Sequence, residues 1–192
     1  MQEPRGLTDF EQILFGLLAR SASSGYELKK FFAATPAVVY QPSSGALYPA
    51  LRRLERRGLL SAEQSPSAGK RRQRRYQLTS AGQAAHGSWL RQPVEPSTVG
   101  ADLGTHLMRF VMAERVLTPE EVLFFLEELA SALETFIATI TDYLTTAPLP
   151  GCHPRLALRH GIEVHQASLD WVRSAIETLR AAPHASDYDT AS

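Results

Sequence analysis

A chain of 192 residues can bury a real core and fits one or two domains. Its 44% hydrophobic share is that of a globular protein, and no apolar run approaches the roughly eighteen residues that span a bilayer, which excludes a helical membrane protein. The net charge of zero hides a division: residues 1–92 hold fourteen Lys or Arg against six Asp or Glu, and residues 93–192 hold six against fourteen. Only the first half is therefore expected to meet a polyanion. The one cysteine, Cys152, excludes an intramolecular disulfide, and MQEPRGLTDFEQ has no basic flank leading into an apolar core. A cytoplasmic protein without a signal peptide is expected.

Residues 1–6 read as a loose start. Thr8 with Glu11 three residues on is a capping box, and Phe10, Ile13, Leu14, Leu17 and Leu18 form a stripe, so 8–20 is predicted as a helix with one buried face. Ser21–Ser24 reads as a turn. Ser24 and Glu27 repeat the capping-box spacing, and Leu28, Phe31 and Phe32 give a second helix its core side. Lys29 and Lys30 fall outward, as solvated side chains or as phosphate contacts. Two prolines break Thr35–Pro42.

Pro42–Gly58 then reads as a third helix. Leu47, Ala50, Leu51 and Leu54 recur at spacings of three and four and give it a buried face. Ser44, Tyr48 and Arg52 stack on another face, with Gly45, Pro49, Arg53 and Arg56 beside them. Ser43 or Ser44 can cap the start, and Gly58 can end the helix in the left-handed conformation. Hydroxyls near the N-terminus and guanidiniums further on suit a DNA groove, where small groups approach base edges and arginines hold phosphates or guanine. The other reading is a solvated arginine-rich face.

A hairpin comes after this helix. Leu60, Ala62 and Gln64 alternate with Ser61 and Glu63, Ser65–Gly69 is turn chemistry, and Tyr76 and Leu78 resume the alternation. Lys70, Arg71, Arg72, Arg74 and Arg75 crowd five positive charges onto its tip and returning strand. A polyanion relieves that repulsion and gains counterion release. Thr79 can cap a further helix through about Leu90. Arg91–Gly100 is polar and Pro-rich and reads as a linker.

The second half is helical. Leu103, Leu107, Phe110 and Val111 mark a helix over roughly 101–115. Thr118, Pro119, Glu120 and Glu121 open the next, in which Val122, Leu126, Leu129, Leu133, Phe136, Ile140 and Tyr143 alternate in steps of four and three. After a Pro/Gly loop at Thr145–Pro154, Leu158, Ile162, His165, Leu169, Val172, Ile176 and Leu179 repeat that spacing. Two such seams can satisfy each other within one chain. Leu123, Phe124, Phe125, Ile137 and Leu144 widen the apolar surface beyond one seam and imply a second copy, hence a homodimer. The fold class expected is mainly α: a winged helix-turn-helix domain with a small β-hairpin wing over 7–91, a linker over 92–100, an all-α helical dimerisation domain over 101–182, and a disordered tail over 183–192.

These residues resemble the PadR family of bacterial transcriptional regulators. The matching pieces are Ser24-Gly25-Tyr26-Glu27-Leu28, Gly45-Ala46-Leu47-Tyr48-Pro49-Ala50-Leu51-Arg52-Arg53-Leu54-Glu55 and Tyr76-Gln77-Leu78-Thr79-Ser80-Ala81-Gly82. The resemblance is specific over about 8–90 and looser over 101–182. It implies a dimeric winged-helix protein that represses a neighbouring operon and responds to a small aromatic or lipophilic effector. It places DNA-facing positions on Ser44, Tyr48, Pro49, Arg52 and Arg53 and wing positions on Lys70, Arg71, Arg72 and Arg74; Ser43 joins them as a hydroxyl at the helix start. Ala46 departs from the family, which often has Thr or Ser there, and so removes a hydroxyl near the DNA. Pro49 is expected near the helix start or at a mild kink.

Weaker signals remain. His165 on the last seam is either a hydrogen-bonded core or interface histidine, or an effector contact or pH-dependent group; Trp171 is either an amphipathic edge residue or a platform for an aromatic effector. Cys152, His153, His160 and His165 make a poor metal set, with one thiol and two histidines on different helical faces. No nucleophile elbow, P-loop or dinucleotide fingerprint occurs, so no enzyme and no cofactor are expected. The function expected is a ligand-responsive repressor that binds a palindromic double-stranded operator as a homodimer, without a membrane partner. The alternative is an adaptor that uses a winged-helix scaffold to bind another protein.

Overall fold

The computed structural model describes residues 6–34, 44–65 and 73–181. Ser43, Lys70, Arg71 and Arg72, the rest of the hairpin tip and the expected tail at 183–192 lie outside the described residues. The elements run α1 (Asp9–Arg20), β1 (Ser23–Ser24), α2 (Gly25–Ala34), α3 (Ser44–Arg56), β2 (Leu60–Ser65), β3 (Gln73–Leu78), α4 (Ser80–Leu90), α5 (Pro96–Ala113), α6 (Pro119–Thr146) and α7 (Cys152–Ala181). The fold is mainly helical with one three-stranded sheet. No helix among the described residues is long and apolar enough to cross a membrane.

Two compact units divide the chain: Met1–Gln92 with Leu107–Leu117, and Pro93–His106 with Thr118–Ser192. In the first, Thr8 caps α1 as its spacing foretold: Thr8 Oγ1 accepts from Glu11 N, and Glu11 Oε2 accepts from Thr8 N at 2.9 Å. The expectation of one buried face is corrected. Every residue from Phe10 to Leu18 is buried, because α1 packs against both α4 and β3. Met112 fills the space above Gly16, where a Cβ would stand 1.9 Å from its sulfur. Arg109 fastens the 107–117 segment to the end of α4 by donating to Leu90 O at 3.1 Å and to Gln92 O.

The sheet order is β1-β3-β2, antiparallel throughout, with Leu60 opposite Leu78 and Ala62 opposite Tyr76. Of the alternating set expected, Leu60 and Tyr76 are buried and Ala62 and Leu78 half-buried, but Gln64 is exposed, near the far end of β2. The turn expected at Ser21–Ser24 ends in a strand: Ser23 and Ser24 pair with Tyr76 and Arg75. Two residues are too few for alternation to show. At the end of α3, Gly58 takes φ +70° and the N–H groups of Gly58 and Leu59 donate to Glu55 O and Leu54 O, a Schellman turn. Thr79 closes the hairpin by donating from Oγ1 to Gly58 O at 2.7 Å, and it caps α4 by accepting from Gly82 N.

The second unit is built on α6 and α7. Arg173 pairs with Glu134 and Arg180 with Glu127, so the helices run antiparallel. α6 packs on α7, and Leu126, Leu129 and Leu133 on one and Leu169, Val172 and Ile176 on the other are the buried middle of the two seams, while Tyr143 and Leu179 are exposed at their ends. Thr118 caps α6 in a full capping box with Glu121. The linker expected over 92–100 is helical from Pro96 onward, with Val99 fully buried and Gly100 set against the Phe136 ring. The helix expected from 101 thus begins five residues earlier and breaks at Asp102 (φ −144°, ψ 40°), whose Oδ1 accepts from Thr105 N and restarts it.

Candidate nucleic-acid interface

The third helix positions the site. Leu47, Ala50, Leu51 and Leu54 are almost wholly buried, which fixes what the opposite face presents. Tyr48 is 41% exposed and Pro49, Arg52 and Arg56 are exposed. At about 100° per residue these four fall on one outward strip. Pro49 is the sixth residue of α3, so the Gly45 carbonyl finds no helical N–H four residues on. Ser44 opens the helix.

Among the described residues, acids hold Arg53, Arg74 and Arg75. Arg53 Nε donates to Glu11 Oε1 at 2.9 Å, and its Nη2 lies 2.8 Å from the same oxygen. Arg74 pairs with Glu55 of α3 and stands 5.7 Å above the Tyr76 ring. Arg75 donates to Glu27 at 3.3 Å and to Ala22 O. Glu27 is itself a cap: its Oε2 accepts from Ser24 N at 2.7 Å. Those bonds from Ser24, and then the Arg75 charge, hold its carboxyl below the usual range. Glu11 and Glu27 therefore work alike, one oxygen on a helix start and the other on an arginine. Arg52 and Arg57 make no ion pair among the described residues. Two exposed groups stand beyond the expected set: Arg57 just past α3, and Tyr26, 65% exposed on the first turn of α2. An aromatic residue two positions after the Ser24 cap was the signal for Tyr26.

The two candidate effector residues lie on α7. His165 Nδ1 is 2.6 Å from Gly161 O and Nε2 is 3.3 Å from Val99 O, with the Phe136 ring centred 4.7 Å away. A neutral ring donates to one of those carbonyls, an imidazolium to both. Trp171 is 41% exposed. Among the described residues no three or more His, Cys, Asp or Glu stand together as a metal site.

The model of the PadR-like transcriptional regulator family matches residues 14–98, and that of the virulence activator alpha C-terminal region matches 106–180. A probable transcriptional regulator of Mycobacterium tuberculosis is 24% identical over 176 residues, 85% of this chain and 93% of that protein. Among solved structures, Bacillus subtilis PadR in complex with operator DNA shares 19% identity at a TM-score of 0.43, covering 90% of this chain and 99% of its own. The same protein with p-coumaric acid shares 18% at 0.40, covering 95% and 100%. Residues 14–98, which hold the winged helix, thus match the PadR-like family of transcriptional regulators, and the helical half matches the virulence activator alpha C-terminal region.

Proposed function

We propose that this regulator is a ligand-responsive repressor that binds a palindromic operator as a homodimer. The outward strip of α3 enters the major groove, with Tyr48, Pro49 and Arg52 facing the DNA and Ser43 and Ser44 at the helix start. Lys70, Arg71, Arg72 and Arg74 of the wing meet flanking phosphates. The observation that carries this reading is the exposure of Tyr48, Pro49, Arg52 and Arg56 on a helix whose other side is sealed in the core. In support of a dimer, the helical half presents Phe124, Tyr143, Leu156, Val164 and Trp171 to solvent, more apolar surface than an isolated arm carries well. Two copies would read two half-sites.

The effector is a small aromatic or lipophilic molecule, as the family suggests, and the helical half is where we place it, at Trp171 with His165. It changes operator affinity only by binding the DNA-competent and incompetent arrangements unequally. The test is titration of labelled duplex from upstream of the protein's own gene against rising salt. We expect affinity to fall steeply with salt, and Arg52→Ala or neutralised Arg71 and Arg72 to lose much of it. Retained binding in those variants would refute this assignment of the DNA face. In a Trp89→Phe background, quenching of Trp171 emission by a phenolic acid reports the effector contact.

A further inference from the structure

Between its buried face and its outward strip, α3 has a flank, and Arg53 occupies it. Its guanidinium makes two contacts of 2.9 and 2.8 Å with one oxygen of Glu11 on α1. The Glu11 side chain is only 2% exposed, against 47% for Arg53. Its other oxygen is committed to Thr8, accepting from the backbone N at 2.9 Å and the hydroxyl at 3.2 Å. A carboxylate so enclosed is out of reach of DNA, yet it draws a guanidinium strongly because water does not screen it.

Apolar packing is non-directional and tolerates small rotations of a helix, whereas a charge-assisted hydrogen bond does not. A roll of α3 by about 20° would carry a side-chain tip about 7 Å from its axis through more than about 2 Å, enough to break a hydrogen bond to a base or phosphate. We propose that Glu11, acting through Arg53, is a positioning residue for DNA recognition: the ion pair fixes the rotation of α3 about its own axis and so aims Tyr48 and Arg52. Arg53 then braces the recognition helix and is not itself a ligand of the DNA. The inference rests on the DNA-binding reading above.

The test uses the full chain and a labelled duplex from upstream of its own gene, with a random-sequence duplex alongside. Affinity is measured over about 50–300 mM KCl, a range wide enough for the slope to count phosphates. The variants are Glu11→Gln, Arg53→Gln and Arg52→Gln. Glutamine at position 11 keeps the capping box, so the start of α1 survives the change. Glu11→Gln and Arg53→Gln are expected to weaken upstream binding at least about tenfold with the salt slope unchanged, and the double variant to be no worse than the weaker single one. Arg52→Gln is expected to lower the slope by about 0.9, the loss of one phosphate contact. Should Arg53→Gln fail to fold by circular dichroism, Arg53→Lys, which keeps the charge, is expected to give a smaller loss at the same slope. The proposal is overturned if an Arg53 variant that removes the charge lowers the slope, if Glu11→Gln strengthens and steepens binding by releasing Arg53 to phosphate, or if neither variant changes affinity. A wild-type chain that binds neither duplex would overturn the DNA-binding reading itself, and this proposal with it.

Discussion

Tyr48 lies directly over Gly25: a Cβ built on Gly25 would stand 2.6 Å from Tyr48 Cε1. The first residue of α2 is thus the seat for an aromatic ring on the outward strip of α3. Gly25→Ala forces that ring aside, since no real Cβ sits so close. The gain in helix propensity, under about 1 kcal/mol, offsets part of the strain. We expect operator affinity to fall about tenfold while the unfolding temperature drops by only a few degrees. Fluorescence anisotropy and a thermal melt on the same sample check both, and undiminished affinity would count against Tyr48 as a DNA contact.

Gly82 answers to a harder constraint. Its missing Cβ would stand 2.1 Å from Leu59 O, a backbone atom that already accepts from Thr79 N at 3.1 Å. No side chain can swing away there, so Gly82→Ala must separate α4 from the base of the hairpin. A loss of about 2–4 kcal/mol is expected in urea unfolding, far more than for Gly16→Ala, where the obstructing atom is the flexible end of Met112.

Stability should depend on pH through His86. It is buried with neither ring nitrogen hydrogen-bonded among the described residues, edge-on to Phe15 and stacked on Trp89. Burial pushes its pKa down to about 4. The unfolded chain therefore binds a proton below about pH 6.5 that the folded chain refuses until about pH 4. The contribution of a neutral His86 is whole above the upper value and is lost as pH falls towards the lower. Urea unfolding at pH 7 and pH 5 should show the wild type losing up to about 2 kcal/mol more than His86→Phe. Equal losses would place the titrating group elsewhere.

Much of the fold was written in local spacing. The buried side of α3 follows from Leu47, Ala50, Leu51 and Leu54, and the start of α1 from Thr8 and Glu11, because periodicity and capping act within a turn or two. The second bond of Glu11 was not legible. It joins residues 42 positions apart, and nothing near Glu11 marks which arginine it will meet. The same holds for Glu27 and Arg75. The early start of α5 was readable in principle, since Glu95-Pro96 resembles the Thr118-Pro119 opening of α6, but a cluster of prolines and polar residues favoured a loop. The break at Asp102 also had a sign, an Asp three residues before Thr105.

Contact between the outward strip of α3 and duplex DNA is tested most directly by a photo-crosslinking residue placed at Tyr48, with the exposed Ser131 of α6 as control. Irradiation with duplex from upstream of the gene should attach DNA at position 48 and not at position 131. Attachment at 131 alone, or at neither position while the duplex is demonstrably bound, would contradict that contact.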